Sequence, residues 1–279
     1  MRYKYYYCVL HNPQLTSFLE ANQIRYRLSG GGIVPTFVIF SLYSSSSNTQ
    51  FLVKGLGDLC SRDPIITPEF SKRELENSKL LLLRPKKQII EITNGKYAFD
   101  YACKWIDSFG FTRVGHEWQI DTLAIAKEPS MNTRTALWAS DTGFSEIYAD
   151  RRVCELATES CLSGVEFRNV LVKDGTYSKN LFQMTSNNLI QRDKIARGYG
   201  EKIEKCPICG KEQFCIDSSY QLHLIDSDDI TGSDFSVTER IFGEGIAEPM
   251  YIISQRFYRL LKQNNLTGNV VFTPVVCIS

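Results

Sequence analysis

Asp150-Arg151-Arg152-Val153-Cys154-Glu155-Leu156, continued by Leu162-Ser163-Gly164, is answered 104 residues later by Ser254-Gln255-Arg256-Phe257-Tyr258-Arg259-Leu260 and Leu266-Thr267-Gly268. Both copies fit Asp/Ser-x-Arg-apolar-x-x-Leu-x5-Leu-Ser/Thr-Gly. Asp and Ser are good helix N-caps, because a side-chain oxygen there accepts a bond from an orphan amide. Val153, Leu156 and Ala157, and in the second copy Phe257, Leu260 and Leu261, recur at helical spacing and make one apolar face each. Gly164 and Gly268 are expected to stop the helices in a left-handed conformation, with Leu162 and Leu266 packing back. An alternating strand follows each, over Val165–Val172 and Asn269–Val276. The repeated unit is therefore capped helix, glycine stop and strand, and its recurrence predicts a duplicated arrangement around one core. Arg152 and Arg256 occupy the first helical turn, where they could recognise a carboxylate or phosphate, but the favoured reading is structural: they face solvent or bridge a local acid.

Between the copies lies Cys206-Pro207-Ile208-Cys209-Gly210, followed by Cys215 and His223. Cys-x-x-Cys-Gly is the shape of a metal knuckle, in which two thiolates reach one tetrahedral zinc. A structural site needs four ligands, and Cys215 and His223 are the nearest candidates to complete it. A metal-free turn and a redox pair are the alternatives, the latter without a thioredoxin-like strand-to-helix context. After His223 comes the densest acidic cluster, Asp226, Asp228, Asp229 and Asp234. Such a face would complement a basic partner.

Upstream, residues 2–10 read as a strand and Pro13–Asn22 as a short helix. Ser29-Gly30-Gly31-Gly32 is a break without a phosphate-loop pattern. Ile33–Leu42 reads as a buried strand, and Phe51–Pro68 is weakly patterned. Ser71 with Glu74 forms a capping box over Lys72–Asn77. Leu80–Leu83 and Gln88–Ile92 look like a strand pair. Phe99, Ala102, Cys103 and Ile106 predict a helix over Tyr97–Phe109, and Trp118–Ala126 a strand. Lys127–Thr142 has little periodicity and is read as the junction between an N-terminal part, 1–142, and a C-terminal domain, 143–279. The expected fold class is α+β, with mixed sheets, short helices and a C-terminal half built from the repeated unit around the knuckle.

The 279 residues hold 32 Lys and Arg against 31 Asp and Glu, so no global field favours nucleic acid or an anionic membrane. No apolar run approaches the roughly 20 residues of a membrane helix, and the tyrosine-rich N-terminus lacks the features of a signal peptide. Nine cysteines, most of them single within apolar segments, read as reduced thiols of a soluble cytosolic protein. No catalytic spacing stands out. Cys103, His116 and Asp121 are a conceivable nucleophilic set, but Cys103 is expected on an apolar helix face.

Cys206-Pro-Ile-Cys209-Gly210, the Phe242-Gly243 turn and Ile252-Ile253-Ser254-x-Arg256 … Leu266-Thr267-Gly268 … Phe272-x-Pro274-Val275 resemble the bacterial double-CXXCG motif family and neighbouring immunity-like proteins of polymorphic toxin systems. The resemblance covers about residues 145–279, and this chain has one knuckle where that family has two. It implies a non-enzymatic protein that binds and neutralises a cognate toxin, with no catalytic residues. The alternatives are an enzyme using a cysteine nucleophile or a metal-bound water, and a nucleic-acid binder built on a zinc ribbon.

Overall fold

Tyrosine alternation in residues 2–10 builds the first strand, β1 (Arg2–Leu10). It is followed by α1 (Pro13–Ala21), β2 (Tyr26–Gly31), β3 (Val34–Tyr43), α2 (Thr49–Gly57) and β4 (Ile65–Glu69). The computed structural model describes residues 2–31, 34–44, 49–57, 59–60, 64–86, 88–106, 112–140, 146–196, 202–208, 210, 212–215, 221–225, 230, 232–239 and 249–278. Two compact units divide the chain, Met1–Glu74 and Leu75–Ile216 with Gln221–Ser279.

The first unit is one antiparallel sheet in the order β2-β3-β1-β4. This β-α-β-β-α-β path is the split, ferredoxin-like arrangement. Asn12 caps α1 by accepting from the Gln14 amide, with Pro13 at the first helical position. Leu15 and Leu19 of α1 and Leu52 and Leu56 of α2 pack on Tyr7, Val9, Val38, Phe40 and Leu42. Tyr7 and Phe40 stack at 4.5 Å between centroids. Both helices thus cover one face of the sheet. Helix α2 falls within the stretch read as weakly patterned: Leu52 and Leu56 carry the i, i+4 signal, and Gly55 and Gly57 obscure it.

The second unit opens with α3 (Lys72–Asn77), whose first turn begins in the first unit. Its capping box forms as read: Ser71 N donates to Glu74 Oε2 at 2.8 Å, and Glu74 N to Ser71 Oγ at 3.3 Å. Then come β5 (Leu80–Pro85), β6 (Gln88–Ile90), α4 (Gly95–Ala98), β7 (Phe99–Ile106), β8 (Thr112–Gln119), β9 (Ala124–Ile125), β10 (Leu137–Ser140), β11 (Ile147–Asp150), α5 (Arg151–Glu159) and β12 (Val165–Val172). The chain continues as β13 (Tyr177–Ser186), β14 (Leu189–Ile190), a 3-10 turn (Arg192–Lys194), β15 (Lys202–Lys205), β16 (Glu212–Cys215), β17 (His223–Ile225), β18 (Phe235–Thr238), β19 (Tyr251–Ser254), α6 (Gln255–Gln263), β20 (Val270–Pro274) and β21 (Val276–Ile278). The protein is α+β with mixed sheets.

Two large sheets of this unit share a strand plan. One runs β6-β10-β11-β13-β12 with β9 added at the edge, the other β14-β18-β19-β5-β20. In each, a short strand lies parallel to a hairpin (β6 on β10, β14 on β18). A longer strand then separates the two that flank the helix (β13 between β11 and β12, β5 between β19 and β20). The longer strands cross over: β5 precedes the first set in sequence but pairs in the second sheet, while β13 precedes the second set but pairs in the first. One core, including Ile147, Val153, Met184, Leu81, Phe235, Ile253, Phe257 and Leu261, draws on both sheets and both helices.

Several expectations change. Residues 99–106 are strand β7 rather than part of a helix, because Phe99, Cys103, Trp105 and Ile106 favour an extended chain and pair with β8. The pair read at Leu80–Leu83 and Gln88–Ile92 consists of β5 and β6, which belong to different sheets. The boundary read at 142/143 lies inside the second unit, because the stretch read as a junction contains β10 and β5 pairs with β19 and β20.

The helix stops are also not the glycines. Cys161 (φ 49°) and Asn265 (φ 58°) take the left-handed position. Leu162 N then donates to Ala157 O and Cys161 N to Thr158 O, mirrored by Leu266 N to Leu261 O and Asn265 N to Lys262 O. That is a Schellman stop in both copies. The glycines serve close approach instead. A Cβ on Gly164 would lie 2.3 Å from Phe235 O, and one on Gly268 2.8 Å from Arg134 O. Each helix-to-strand turn thus presses on the segment leading into the other copy's hairpin.

Candidate functional site

The knuckle is the loop of the β15–β16 hairpin, closed where Lys205 pairs with Glu212. Cys206 is buried, and Gly210, at φ 72°, donates its amide to Cys206 O at 2.8 Å. Cys209 itself lies outside the described residues. The register fits a four-ligand site poorly. Cys215 pairs with Lys202, four positions along the hairpin from Cys206, or about 13 Å at strand rise. Two thiolates on one zinc hold their Cα atoms within roughly 8 Å, so Cys206 and Cys215 do not share an ion on this register. His223 starts β17, paired with Val276. Among the described residues no group of three or more His, Cys, Asp and Glu is gathered for a metal.

Of the acidic cluster, Asp226, Asp228 and Asp229 lie outside the described residues. Asp234, expected on a partner-facing surface, is instead buried, 7% exposed. Its Oδ1 accepts from Ser254 Oγ at 2.7 Å, and its Oδ2 from Arg256 Nη1 and Ser163 N, both at 3.0 Å. Ser254 Oγ in turn accepts from Phe257 N at 3.1 Å as the cap of α6. One carboxylate thus ties the start of α6 to the turn after α5.

The first copy reaches the same end by another route. There the cap is itself the acid: Asp150 Oδ1 accepts from Val153 N, and its Oδ2 from Arg152 Nε at 2.8 Å. Arg152 also donates to the carbonyls of Asn132, Thr133 and Thr135. Ala136 holds the place that Asp234 holds in the second copy: Asp150 N donates to Ala136 O at 3.0 Å, as Ser254 N does to Asp234 O at 3.0 Å. Each copy therefore keeps one buried carboxylate for its arginine, on the cap in one and on the hairpin entry in the other. Both arginines bridge a local acid, Asp150 and Asp234, which is the structural role read for them.

Cys103 and His116 are register partners across β7 and β8, and Cys103 is buried. Asp121 accepts from the next amide, Thr122 N, at 2.7 Å. Burial pushes the Cys60 thiol above its ordinary range, and burial followed by the Glu155 charge does the same to Cys154. Upward is the direction of an unreactive thiol.

The feature that the linear sequence conceals is the helix-free face of the first unit's sheet. Pairing aligns its rows as Leu10–Phe37–Ser29, Cys8–Ile39–Arg27, Ile65–Tyr6–Ser41, Thr67–Lys4–Tyr43 and Arg2–Glu69. Tyr6, Phe37 and Tyr43 are half-buried there, while Leu10, Ile65 and Arg27 are exposed. The Arg2 guanidinium lies 4.7 Å and the Lys4 ammonium 5.9 Å from the Tyr43 ring centre. Arg2 also grips Glu69 at 2.7 Å, and a cavity of about 500 Å³ lined by Arg2, Glu69, Phe70, Ser71 and Glu74 adjoins that row. Period-two alternation in residues 2–10 and 34–43 was the available signal; which parity faces the helices was not.

No family model, curated protein or solved structure matches this chain.

Proposed function

We propose that this chain is a binding protein without chemistry of its own, of the immunity type, which neutralises a cognate bacterial toxin by direct contact. The observation that carries the reading is what the motif residues do. Asp150, Arg152, Asp234, Ser254 and Arg256 spend their polar atoms on intramolecular bonds around one shared core. A framework so cross-tied presents its surface preformed, which lowers the ordering cost of binding.

We also infer that residues 80–172 and 177–274 are two copies of one ancestral unit whose first strands have exchanged sheets. The support is the common strand plan and the equivalent order of parts, including a hairpin inserted in each, β7–β8 and β15–β16. Two knuckles, as in the double-CXXCG family, would fall at the two hairpin tips. Here the sequence between β7 and β8 reads Asp107-Ser108-Phe109-Gly110-Phe111, without cysteine. Zinc on Cys206 and Cys209 would brace the second tip as a structural ion, with His223 the remaining candidate ligand among those expected. Cys215 would join only if the hairpin changed register. The acidic partner face, if retained, reduces to Asp226, Asp228 and Asp229.

Co-expression tests the reading. A toxin-like protein encoded beside this chain loses its lethality when the chain is co-produced; unchanged killing at equal expression refutes it.

A further inference from the structure

We infer that the helix-free face of the four-stranded sheet binds single-stranded nucleic acid, a function separate from the toxin-binding reading and independent of it. Sheet topology supplies the platform. With α1 and α2 both on the Tyr7–Phe40 side, strands β1 and β3 present Tyr6, Phe37 and Tyr43 on the other side. Flat aromatic side chains on a four-stranded sheet are a means of stacking unpaired bases, and they tolerate sequence because every base has a π-face. The charges on the same rows select the partner. Among the described residues of these rows, Arg2, Lys4 and Arg27 stand against one acid, Glu69, which is held by Arg2. Residues 1–74 as a whole carry eight Lys and Arg against five Asp and Glu. A cationic, aromatic face complements a chain of phosphates with splayed bases. Its described residues offer no ring of acids for a basic protein and no purely apolar patch for a second copy. The near-neutral total charge hides this local excess.

The full-length chain is titrated with fluorescent single-stranded probes of roughly 12 nucleotides, oligo(U) and oligo(dT) in parallel, at about 50 and 200 mM salt. Saturable binding is expected. Lys4 and Arg27 as the two phosphate contacts predict about sevenfold weakening between the two salts, and Lys4→Ala removes roughly 0.7 from the logarithmic salt slope. Phe37→Leu, which keeps apolar volume, and Tyr6→Ala weaken binding by roughly 5- to 150-fold each. Lys54→Ala, exposed on α2, leaves it unchanged apart from any long-range charge effect. Melting curves establish that the variants fold. Bound probe also slows alkylation of exposed Cys8 on this face but not of exposed Cys161 in the other unit. Tighter binding of oligo(U) than of oligo(dT) assigns the face to RNA, and the reverse to DNA. No saturable binding at the lower salt, aromatic variants that bind as well as the parent, or a dimer in light scattering that Phe37→Glu dissociates while no probe binds, each overturns the inference. None of these outcomes bears on toxin neutralisation.

Discussion

Moving one carboxylate should reverse the sign of a mutation. In the second copy Asp234 accepts from Ser254 Oγ, Ser163 N and Arg256 Nη1. Hydrogen bonds to a charged group contribute about 1.5–3 kcal/mol each. The Arg256 side chain is 55% exposed, so its share is small. Asp234→Ala should therefore cost about 3 kcal/mol, chiefly from the Ser254 and Ser163 bonds. Ser254→Asp alone should also destabilise, because the new carboxylate meets Asp234 at the place where Ser254 Oγ now stands 2.7 Å away. In the Asp234→Ala background the same change rebuilds the first copy's arrangement, an acidic cap gripping the arginine beside an alanine. It should then recover about half of the loss, roughly 1.5 kcal/mol. Urea unfolding followed by tryptophan emission reads this directly, because Trp105, Trp118 and Trp138 all belong to the second unit. The single change should lower the midpoint by about 1 M, and the double change should return part of it. A double variant no more stable than Asp234→Ala refutes the equivalence of the two nodes.

Further outcomes follow from the same geometry. Gly164→Ala places a Cβ 2.1 Å from Ser233 Oγ and 2.3 Å from Phe235 O at φ 79°, and should cost at least about 3 kcal/mol. Gly175→Ala, at φ 82° with nothing within 4 Å, should cost only about 1 kcal/mol in the same melt. Cys161→Gly should stabilise by about 1 kcal/mol, because the left-handed position then carries no side chain. Cys60 and Cys154 should alkylate slowly at neutral pH and accelerate only above the ordinary thiol range, since burial raises both. Fast labelling of either at pH 7 would restore a cysteine nucleophile to contention. Metal analysis of the purified protein should find zinc lost on Cys206→Ser if the knuckle holds it, and equal zinc in both proteins removes Cys206 from the ligand set.

The two capped helices were legible because their signals are local. A cap, an arginine and an apolar face at fixed offsets lie within one helix, and Asp150 and Ser254 cap as their side chains dictate. The Schellman stops were misplaced onto Gly164 and Gly268 because glycine is the usual left-handed residue, whereas Cys161 and Asn265 bear the strain here. The sheet that β5 completes was not legible at all. Nothing in Leu80–Pro85 says which sheet it completes; the apolar run Leu80–Leu83 states only that both faces of that part are covered. Tyr97–Phe109 failed for a related reason: a short apolar run fits both periods, and only the β8 partner decides. Asp234 looked like part of an acidic surface because its neighbours in sequence are acidic, while its neighbours in space are Ser163, Ser254 and Arg256.

Direct binding tests the functional reading most closely. The purified chain is mixed with an inactive form of the toxin-like protein encoded beside it and passed over a sizing column with light scattering; the active toxin is assayed in parallel. Neutralisation by contact predicts a stoichiometric complex and toxin activity that falls in proportion to the chain added. Separate elution of the two proteins, with toxin activity intact at a molar excess of the chain, would contradict it.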